Sequence, residues 1–449
     1  MSATVVCGTP LEPTPLEPWT AARLGPPAGA LTREAIERWQ LARLNETIAW
    51  TRERSPFYRE RLAGSASASL TNLADLCSLP FTTGADLALA PERFLCVSQS
   101  EVRRVVTFST SGTVGKKRVF FTAEDLDCSA DYFEHGVRAV AARGERMAIA
   151  LPCERANSVG WQLAKGIERA GVVPIRCGLA TDPGPLLDAI DREQPASVIG
   201  LPTQMLALAY RADAERSAAF RNLRSMVLCS DHVPSSLVEA IRRRSGCAVF
   251  EHYGMTETGL GGGIDCEAHA GYHFREADLY VEILDPLTGA PMPDGCEGEI
   301  VLTTLSRRAM PLLRYRTGDL SRPMPGPCPC GSVLKRLARV RDRIGSSVAL
   351  SASGSLTLSM LDEALFALPG VTDFTASIQS GKPSRLELVF SIARGCASPN
   401  EAAIHDALNM IEIVQAATRA GELAVSTTAT CQPLEHPTPK RRIEVRELP

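Results

Sequence analysis

Residues 147–230 read MAIALPCERANSVGWQLAKGIERAGVVPIRCGLATDPGPLLDAIDREQPASVIGLPTQMLALAYRADAERSAAFRNLRSMVLCS. Four short apolar runs stand out: MAIALP (147–152), VVPIR (172–176), ASVIGLP (196–202) and SMVLCS (225–230). Between them, apolar residues recur at helical spacing from about Val159 to Ala170, near 185–193, and onward from Gln204. Strand and helix in alternation form the βαβ pattern, in which successive strands lie parallel and helices cover the sheet. The expected fold class is therefore α/β, with mostly parallel sheets flanked by helices.

Upstream, RRVVTFS (103–109) reads as a strand running into a Ser/Thr/Gly loop. Residues 32–62 carry a helical pattern, with Leu31–Thr32 as its start and Ser55–Pro56 as its stop. Residues 1–30, rich in Pro, Ala, Gly and Thr, read as an irregular arm. Downstream the texture changes at Tyr280. LYVEILDPLTG and GEIVLTTL alternate with period two, which predicts a small β unit. SRPMPGPCPCGS (321–332) is a Pro/Gly loop, and ARVRDRIG (338–345) follows as a joint. A chain of 449 residues exceeds what one core usually serves. The expected division is a large N-terminal domain, 1–340, and a small α+β C-terminal domain, 341–449.

Lysine and arginine total 48 against 51 acids, a net charge of -3, so no overall basic character calls for a nucleic-acid polymer. No apolar run is long enough for a bilayer, and the N-terminus lacks a secretory pattern. No membrane association and a cytoplasmic location are the expectation. The 14 cysteines are scattered, which argues for reduced and mostly buried thiols rather than a disulfide framework.

Three segments have the residue types that hold a nucleotide. Thr110-Ser111-Gly112-Thr113-Val114-Gly115-Lys116-Lys117 follows a strand. Its small residues admit phosphate close to the backbone, its hydroxyls donate, and its lysines add charge. It is not a Walker A loop, because Thr110 stands where that pattern needs glycine. In Tyr253-Gly254-Met255-Thr256-Glu257 an exposed tyrosine can stack on a base, and a carboxylate can hold Mg²⁺ between phosphates. In Tyr315-Arg316-Thr317-Gly318-Asp319 a fixed carboxylate can accept from both ribose hydroxyls. Each segment alone also reads as an ordinary loop or turn. Separately, Cys328-Pro329-Cys330 is a tight knuckle, and Cys266 precedes His269 and His273. Together they supply a Cys₃His set for a closed, structural zinc site, with either histidine as the fourth ligand.

In this order and at these separations, the segments resemble the AMP-forming acyl ligases, and within them the phenylacetate–CoA ligase branch. The resemblance runs from SPFYRERL (55–62) through LPFTTGADL (79–87), the TSGTVGKK loop and YGMTE. It continues through ADLYVEILDPLTGAPMPDGCEGEIVLTTLSRRAMPLLRYRTGDL (277–320) to CPCG (328–331) and ARVRDRIG. It implies that Thr110, Ser111, Gly112, Thr113, Gly115 and Lys116 grip the ATP phosphates. Tyr253 and Gly254 would lie beside adenine, Thr256 at the α-phosphate, and Glu257 on Mg²⁺. Asp319 would take the ribose hydroxyls and Arg339 would sit near ribose or phosphate. Asp231 falls where the family walls adenine, beside an atypical His232. Lys440, in HPTPKRRIEV, matches the lysine that contacts carboxylate and α-phosphate during adenylation, although a proline replaces the usual preceding glycine. Arg341 matches the hinge of a mobile C-terminal domain. For zinc, the resemblance favours Cys266, His273, Cys328 and Cys330.

The implied reaction condenses a carboxylic acid with ATP and Mg²⁺ to an acyl-adenylate, then passes the acyl group to coenzyme A. No protein nucleophile is needed, and no Gly-x-Ser-x-Gly elbow is present. The acid pocket is expected near 151–161, 228–232 and 254–263, with an aryl or arylacetic acid as its substrate. Two rivals stay open: transfer to a carrier-protein thiol, and a catalytically lapsed homologue that binds ATP without releasing pyrophosphate. A homodimer is also compatible with the sequence.

Overall fold

The four apolar runs and the strand Ala248–Tyr253 lie side by side as parallel strands, an arrangement that buries the central ones on both faces. In the computed structural model, which describes residues 11–25, 31–64, 69–109, 116–179, 181–351, 354–434 and 441–446, they belong to an eight-stranded sheet. Its spatial order is Arg336–Leu337, Tyr272–Phe274, Gly263–Ile264, Ala248–Tyr253, Ser225–Cys229, Ser197–Gly200, Arg146–Ile149 and Val173–Arg176. The last five are mutually parallel, and the first three run antiparallel. Ser197–Gly200 and Ser225–Cys229 are buried at every position, as expected of parallel strands covered on both faces. The crossovers are the helices Val159–Arg169, Gly184–Glu193, Pro202–Ala214 and Ser235–Ser245.

The long upstream pattern forms a helix, Arg33–Arg54, capped by the Thr32 side chain, which accepts from the Ala35 N–H. It ends where expected, and Ser55 caps a new short helix, Pro56–Arg61. Loss of such a cap costs about 1 kcal/mol. The segment after Tyr280 forms a three-stranded antiparallel sheet, Leu279–Leu284, Gly298–Thr304 and Tyr315–Ser321.

Beyond residue 348 the chain builds a separate four-stranded sheet in the order Leu423–Thr430, Ser384–Ile392, Val371–Gln379 and Ile443–Arg446. Its helices Leu358–Leu365, Glu401–Asn409 and Glu412–Arg419 complete an α+β unit. Leu361, Leu365, Phe366 and Phe374 of this unit share one apolar core with Leu206, Leu208 and Leu237 of the larger one. Polar contacts fix the seam. Gly370 N–H donates to Tyr210 Oη at 2.8 Å. His232 Nδ1 lies 2.9 Å from Asp362 Oδ2, and Arg441 meets the other Asp362 oxygen at 2.8 Å. Helix Ser235–Ser245 starts after Pro234, which cannot cap it. Glu363 of the smaller unit does so instead, accepting from Ser235 N at 2.9 Å and Ser236 N at 3.2 Å. The described cysteines are all unpaired, and Cys77, Cys296, Cys396 and Cys431 are exposed. No helix among the described residues is long and apolar enough to cross a membrane.

Candidate active site

Tyr253 ends a central parallel strand, and its ring points inward rather than to solvent. It is 8% exposed, lies among Tyr272 and Phe274, and donates its hydroxyl to Asp319 Oδ2 at 2.8 Å. The exposed, stacking tyrosine read from the sequence is thus corrected to a buried positioning group. Burial and the neighbouring carboxylate hold its phenol far above the ordinary range. Gly254 follows in a space without room for a side chain: a Cβ would stand 3.0 Å from Gly261 Cα and Leu260 O.

Asp319 is aimed by a bulge. Opposite Ile300 the partner strand carries Thr317, Gly318 and Asp319, and Gly318 adopts φ +77°. The bulge leaves no bare backbone at this point. Thr317 Oγ1 donates to Ile300 O at 2.7 Å and accepts from Asp319 N at 3.0 Å, while Glu299 accepts from Gly318 N at 3.0 Å. Arg343 straps the far side: Nη1 pairs with Asp319 Oδ1 at 2.5 Å and Nη2 donates to Thr317 O at 2.8 Å. Ile344 N donates to Gly318 O at 2.7 Å.

A second cluster joins distant segments around Glu257. Tyr315 Oη donates to Glu257 Oε1 at 2.8 Å, and Lys117 Nζ donates to Tyr315 Oη at 2.9 Å, 3.4 Å from the same carboxylate oxygen. All three are buried. Burial pulls the Lys117 ammonium below its ordinary value, against the opposite pull of Glu257. The segments 55–62 and 79–87 brace this cluster. Tyr58 Oη and Thr82 Oγ1 lie 2.8 Å apart, Leu313 N donates to Tyr58 Oη at 2.9 Å, and Thr82 pairs with both Arg314 and Arg316 backbones. Gly84 leaves the space that Lys117 fills, since a Cβ there would meet Nζ at 2.5 Å. Lys117, Tyr315, Gly318 and Arg343 line one cleft of about 1050 Å³, whose other wall is the C-terminal strand with Arg442 and Glu444.

A second, apolar pocket lies between helix Ala123–Val137, helix Val159–Arg169 and the central strands. Leu151, Leu163, Cys229, Gly254 and Leu260 are among its walls. About 60 Å³ of it is open to the centre of a water-sized sphere. That exceeds the roughly 10–15 Å³ one water needs, yet suits a compact group rather than a long chain.

Residues 100–306 match the family model described as AMP-binding enzyme. Phenylacetate–coenzyme A ligase of Pseudomonas putida is 32% identical over 322 residues, 69% of this chain and 71% of that protein. The enzyme of the same name from Thermus thermophilus is 33% identical over 334 residues, 71% and 72% of the two chains. The chain belongs to the phenylacetate–CoA ligase family. This ligase also superposes on 2-hydroxyisobutyryl-CoA ligase, in a crystal structure of its post-adenylation state, with a TM-score of 0.79 over 94% of each chain at 22% identity. It is an AMP-forming enzyme that activates a carboxylic acid as an acyl-adenylate and transfers it to coenzyme A.

Within the ligase, the other expected site residues fall as follows. Thr256 sits half-buried in the turn before Glu257. Arg339 faces Glu251 at 2.8 Å and Asp265 at 3.4 Å, and burial raises Glu251 to about 7 despite that partner. Asp231 accepts from His232 N at 2.9 Å, next to the seam. Lys116 is exposed, and its neighbour Lys117 turns inward. Thr110, Ser111, Gly112, Thr113, Gly115 and Lys440 lie outside the described residues. Tyr315 and Arg343 have no role of their own in the sequence reading, and Lys117 appears there only as the last residue of the phosphate loop. The side-chain parity of strand Lys116–Phe121 sends Lys117 inward and Lys116 outward.

The cysteine knuckle meets its partners as a compact set. Ligand atoms of Cys266, His273, Cys328 and Cys330 all lie within 4.8 Å of one another, and all four residues are buried. Cys266 Sγ and Cys328 Sγ are 3.7 Å apart, and Cys330 Sγ is 3.4 Å from His273 Nε2. A tetrahedral ion with Zn–S bonds near 2.3 Å needs an S···S edge of about 3.8 Å. Burial raises the Cys330 thiol, but bonding to His273 and the Ser332 backbone brings it down to about 6. His269 instead contacts Asp265 at 2.9 Å. The geometry therefore separates the two histidines that the spacing left open.

Proposed function

We propose that the ligase activates compact, largely apolar acids, with single-ring aryl and arylacetic acids as the leading class. The observation that carries this reading is the apolar pocket beside Gly254, between the turn that bears Glu257 and the sheet. Its limited room favours one ring over an extended acyl chain.

In this reading the nucleotide lies in the cleft lined by Lys117, Tyr315 and Gly318, with Asp319 next to Gly318 in the bulge. Asp319 accepts the ribose hydroxyls on the lone pairs that Tyr253 and Arg343 leave free. Glu257 would hold Mg²⁺, which supplies charge neutralisation on the phosphates; one protein carboxylate with phosphate oxygens is the usual magnesium arrangement. Tyr315 and Lys117 fix that carboxylate's orientation. Displacement at the α-phosphorus depends on such positioning and electrostatics more than on acid–base groups. Lys440 and the 110–115 loop would complete the phosphate contacts. Cys266, His273, Cys328 and Cys330 would hold a structural zinc, tying the strand 272–274 to the 328–331 loop away from the chemistry.

Acid-dependent pyrophosphate release, measured over a panel of aryl, arylacetic and aliphatic acids with and without coenzyme A, tests the reading. Release with single-ring aryl acids and CoA-dependent thioester formation are expected. Preference for long aliphatic acids would overturn it.

A further inference from the structure

Two residues that line the apolar pocket each carry a buried polar atom with no hydrogen-bond partner among the described residues. Tyr132 is 1% exposed, and its Oη has no hydrogen-bond partner among the described residues. His252, one residue before Tyr253, has Nε2 enclosed and equally without a partner among them. Both side chains line the pocket, their ring centroids 5.9 Å apart. Val137, Val140, Leu163, Ile199 and Ile264 make up much of the surrounding wall.

Neither group is a loose ring in a spare corner. Gly261 is pressed against Tyr132 so closely that a Cβ would stand 2.2 Å from its Cε1. Phe133 and Trp19 flank the ring, and the Arg275 guanidinium lies over it at 5.0 Å. Burying a hydroxyl and an imidazole nitrogen without partners opposes folding, and phenylalanine and leucine would fill the same space without that cost. Buried polar groups left unpaired in an otherwise apolar pocket mark a place where a ligand supplies the partner.

The chemistry of the pair narrows the partner. Arg275 holds a cation next to Tyr132, which strengthens the phenol as a donor and disfavours a ligand ammonium. Burial, helped by the same charge, lowers His252 to about 4, so the imidazole is neutral near pH 7 and keeps an acceptor nitrogen. A hydroxyl satisfies both at once, its oxygen accepting from Tyr132 and its proton donated to His252. A methoxy or keto oxygen satisfies one of the two.

We propose that the acid activated by this ligase carries a hydroxyl on its apolar body, held between Tyr132 Oη and His252 Nε2, which act as specificity-determining residues. The proposal rests on the acid-activation reading above and adds the substituent.

The test compares kcat/KM for acid-dependent pyrophosphate release on matched pairs: phenylacetic with 3- and 4-hydroxyphenylacetic acid, and benzoic with 3- and 4-hydroxybenzoic acid. At least one hydroxy acid is expected to exceed its parent tenfold or more. The hydroxy-to-parent ratio should fall about tenfold in Tyr132→Phe and again in His252→Leu, as loss of a hydrogen bond made to a buried polar site implies. Melting temperatures without ligand, equal to or above wild type, would show that both variants fold. Equal rates for every pair, or a ratio that neither substitution moves, would overturn the proposal and assign the two atoms to a buried water. Such a result leaves acid activation standing, whereas no release with any acid removes that reading and the proposal together.

Discussion

Replacing Asp319 by asparagine isolates the nucleotide-binding role of the bulge. A carboxylate offers about four lone-pair sites. Tyr253 takes one on Oδ2 and Arg343 one on Oδ1, which leaves one on each oxygen for two ribose hydroxyls. Asparagine keeps a single accepting oxygen and loses the charge. One ribose bond to a charged acceptor is then missing, worth about 1.5–3 kcal/mol. At 1.4 kcal/mol per tenfold, KM for ATP should rise roughly 10- to 150-fold. The Arg343 contact adds little to stability, since its guanidinium is one-third exposed and screened. The melting temperature should therefore move by only a few degrees. Because the bond forms in ground and transition states alike, kcat should change far less than KM. Initial-rate pyrophosphate release against ATP concentration is the assay. A KM within about threefold of wild type, with turnover intact, would refute the assignment of the ribose to Asp319.

Three further outcomes follow from the geometry. Lys117→Met should lower kcat/KM by about 10²–10³, the usual loss for a preorganised electrostatic group, and by at least tenfold more than Lys116→Met; equal effects would show that the inward-facing side chain has no special part. Metal analysis should find one zinc per chain, lost with a clear drop in melting temperature in Cys330→Ser and retained in His269→Ala; a folded, zinc-free wild type would contradict this. At the seam, burial lowers the His232 pKa but bonding to Asp362 outweighs it, and the net shift is upward from the ordinary 6.5. Asp231, Asp362 and Glu363 face this ring, with Arg441 beyond Asp362. A raised folded-state value adds stability below pH 6.5 that is lost as pH rises through that value, so thermal stability should fall on going from about pH 6 to 8 and His232→Asn should flatten the profile; an identical slope in the variant would count against it.

Much of the fold was legible because period and punctuation agree with the packing. The runs at 147–152, 196–202 and 225–230 are too short for helices and too apolar for surface, and they became sheet interior. Tyr253, Glu257 and Asp319 could be named as candidates because their segments occur together in one order, each being weak alone. Their surroundings could not be read, because they arise from contacts far apart in the chain. Lys117 and Lys116 look alike until strand parity turns one inward. Tyr315 matters through a hydroxyl that meets Glu257, 58 residues away. Arg343 reads as part of a joint in the sequence, but pairing of the adjacent Ile344 N–H with Gly318 O brings it onto Asp319. Thr82 and Gly84 were visible as part of a resemblance without any sign that they support Tyr315 and Lys117. Spacing alone leaves His269 and His273 equal; the resemblance favours His273, and pairing of Tyr272–Phe274 with Arg336–Leu337 sets it beside the knuckle. Tyr132 sits on the buried face of its helix and His252 follows Glu251 near the end of its strand, and no periodicity argument marks either as a pocket residue.

The borrowed acceptor at Ser235 has its own consequence. A helix whose opening N–H groups depend on Glu363 is a position sensor for the whole C-terminal unit. Were that unit to swing away, the amides of Ser235 and Ser236 would turn to water, and their partial positive charge would be bare. Beside the shared apolar core and the Asp362 pairs, this contact adds the worth of one charged cap to the docked arrangement, about 1 kcal/mol or a factor of roughly five in population. A contribution of that size tunes the docked population without fixing it, so the contact acts as a detent rather than a lock.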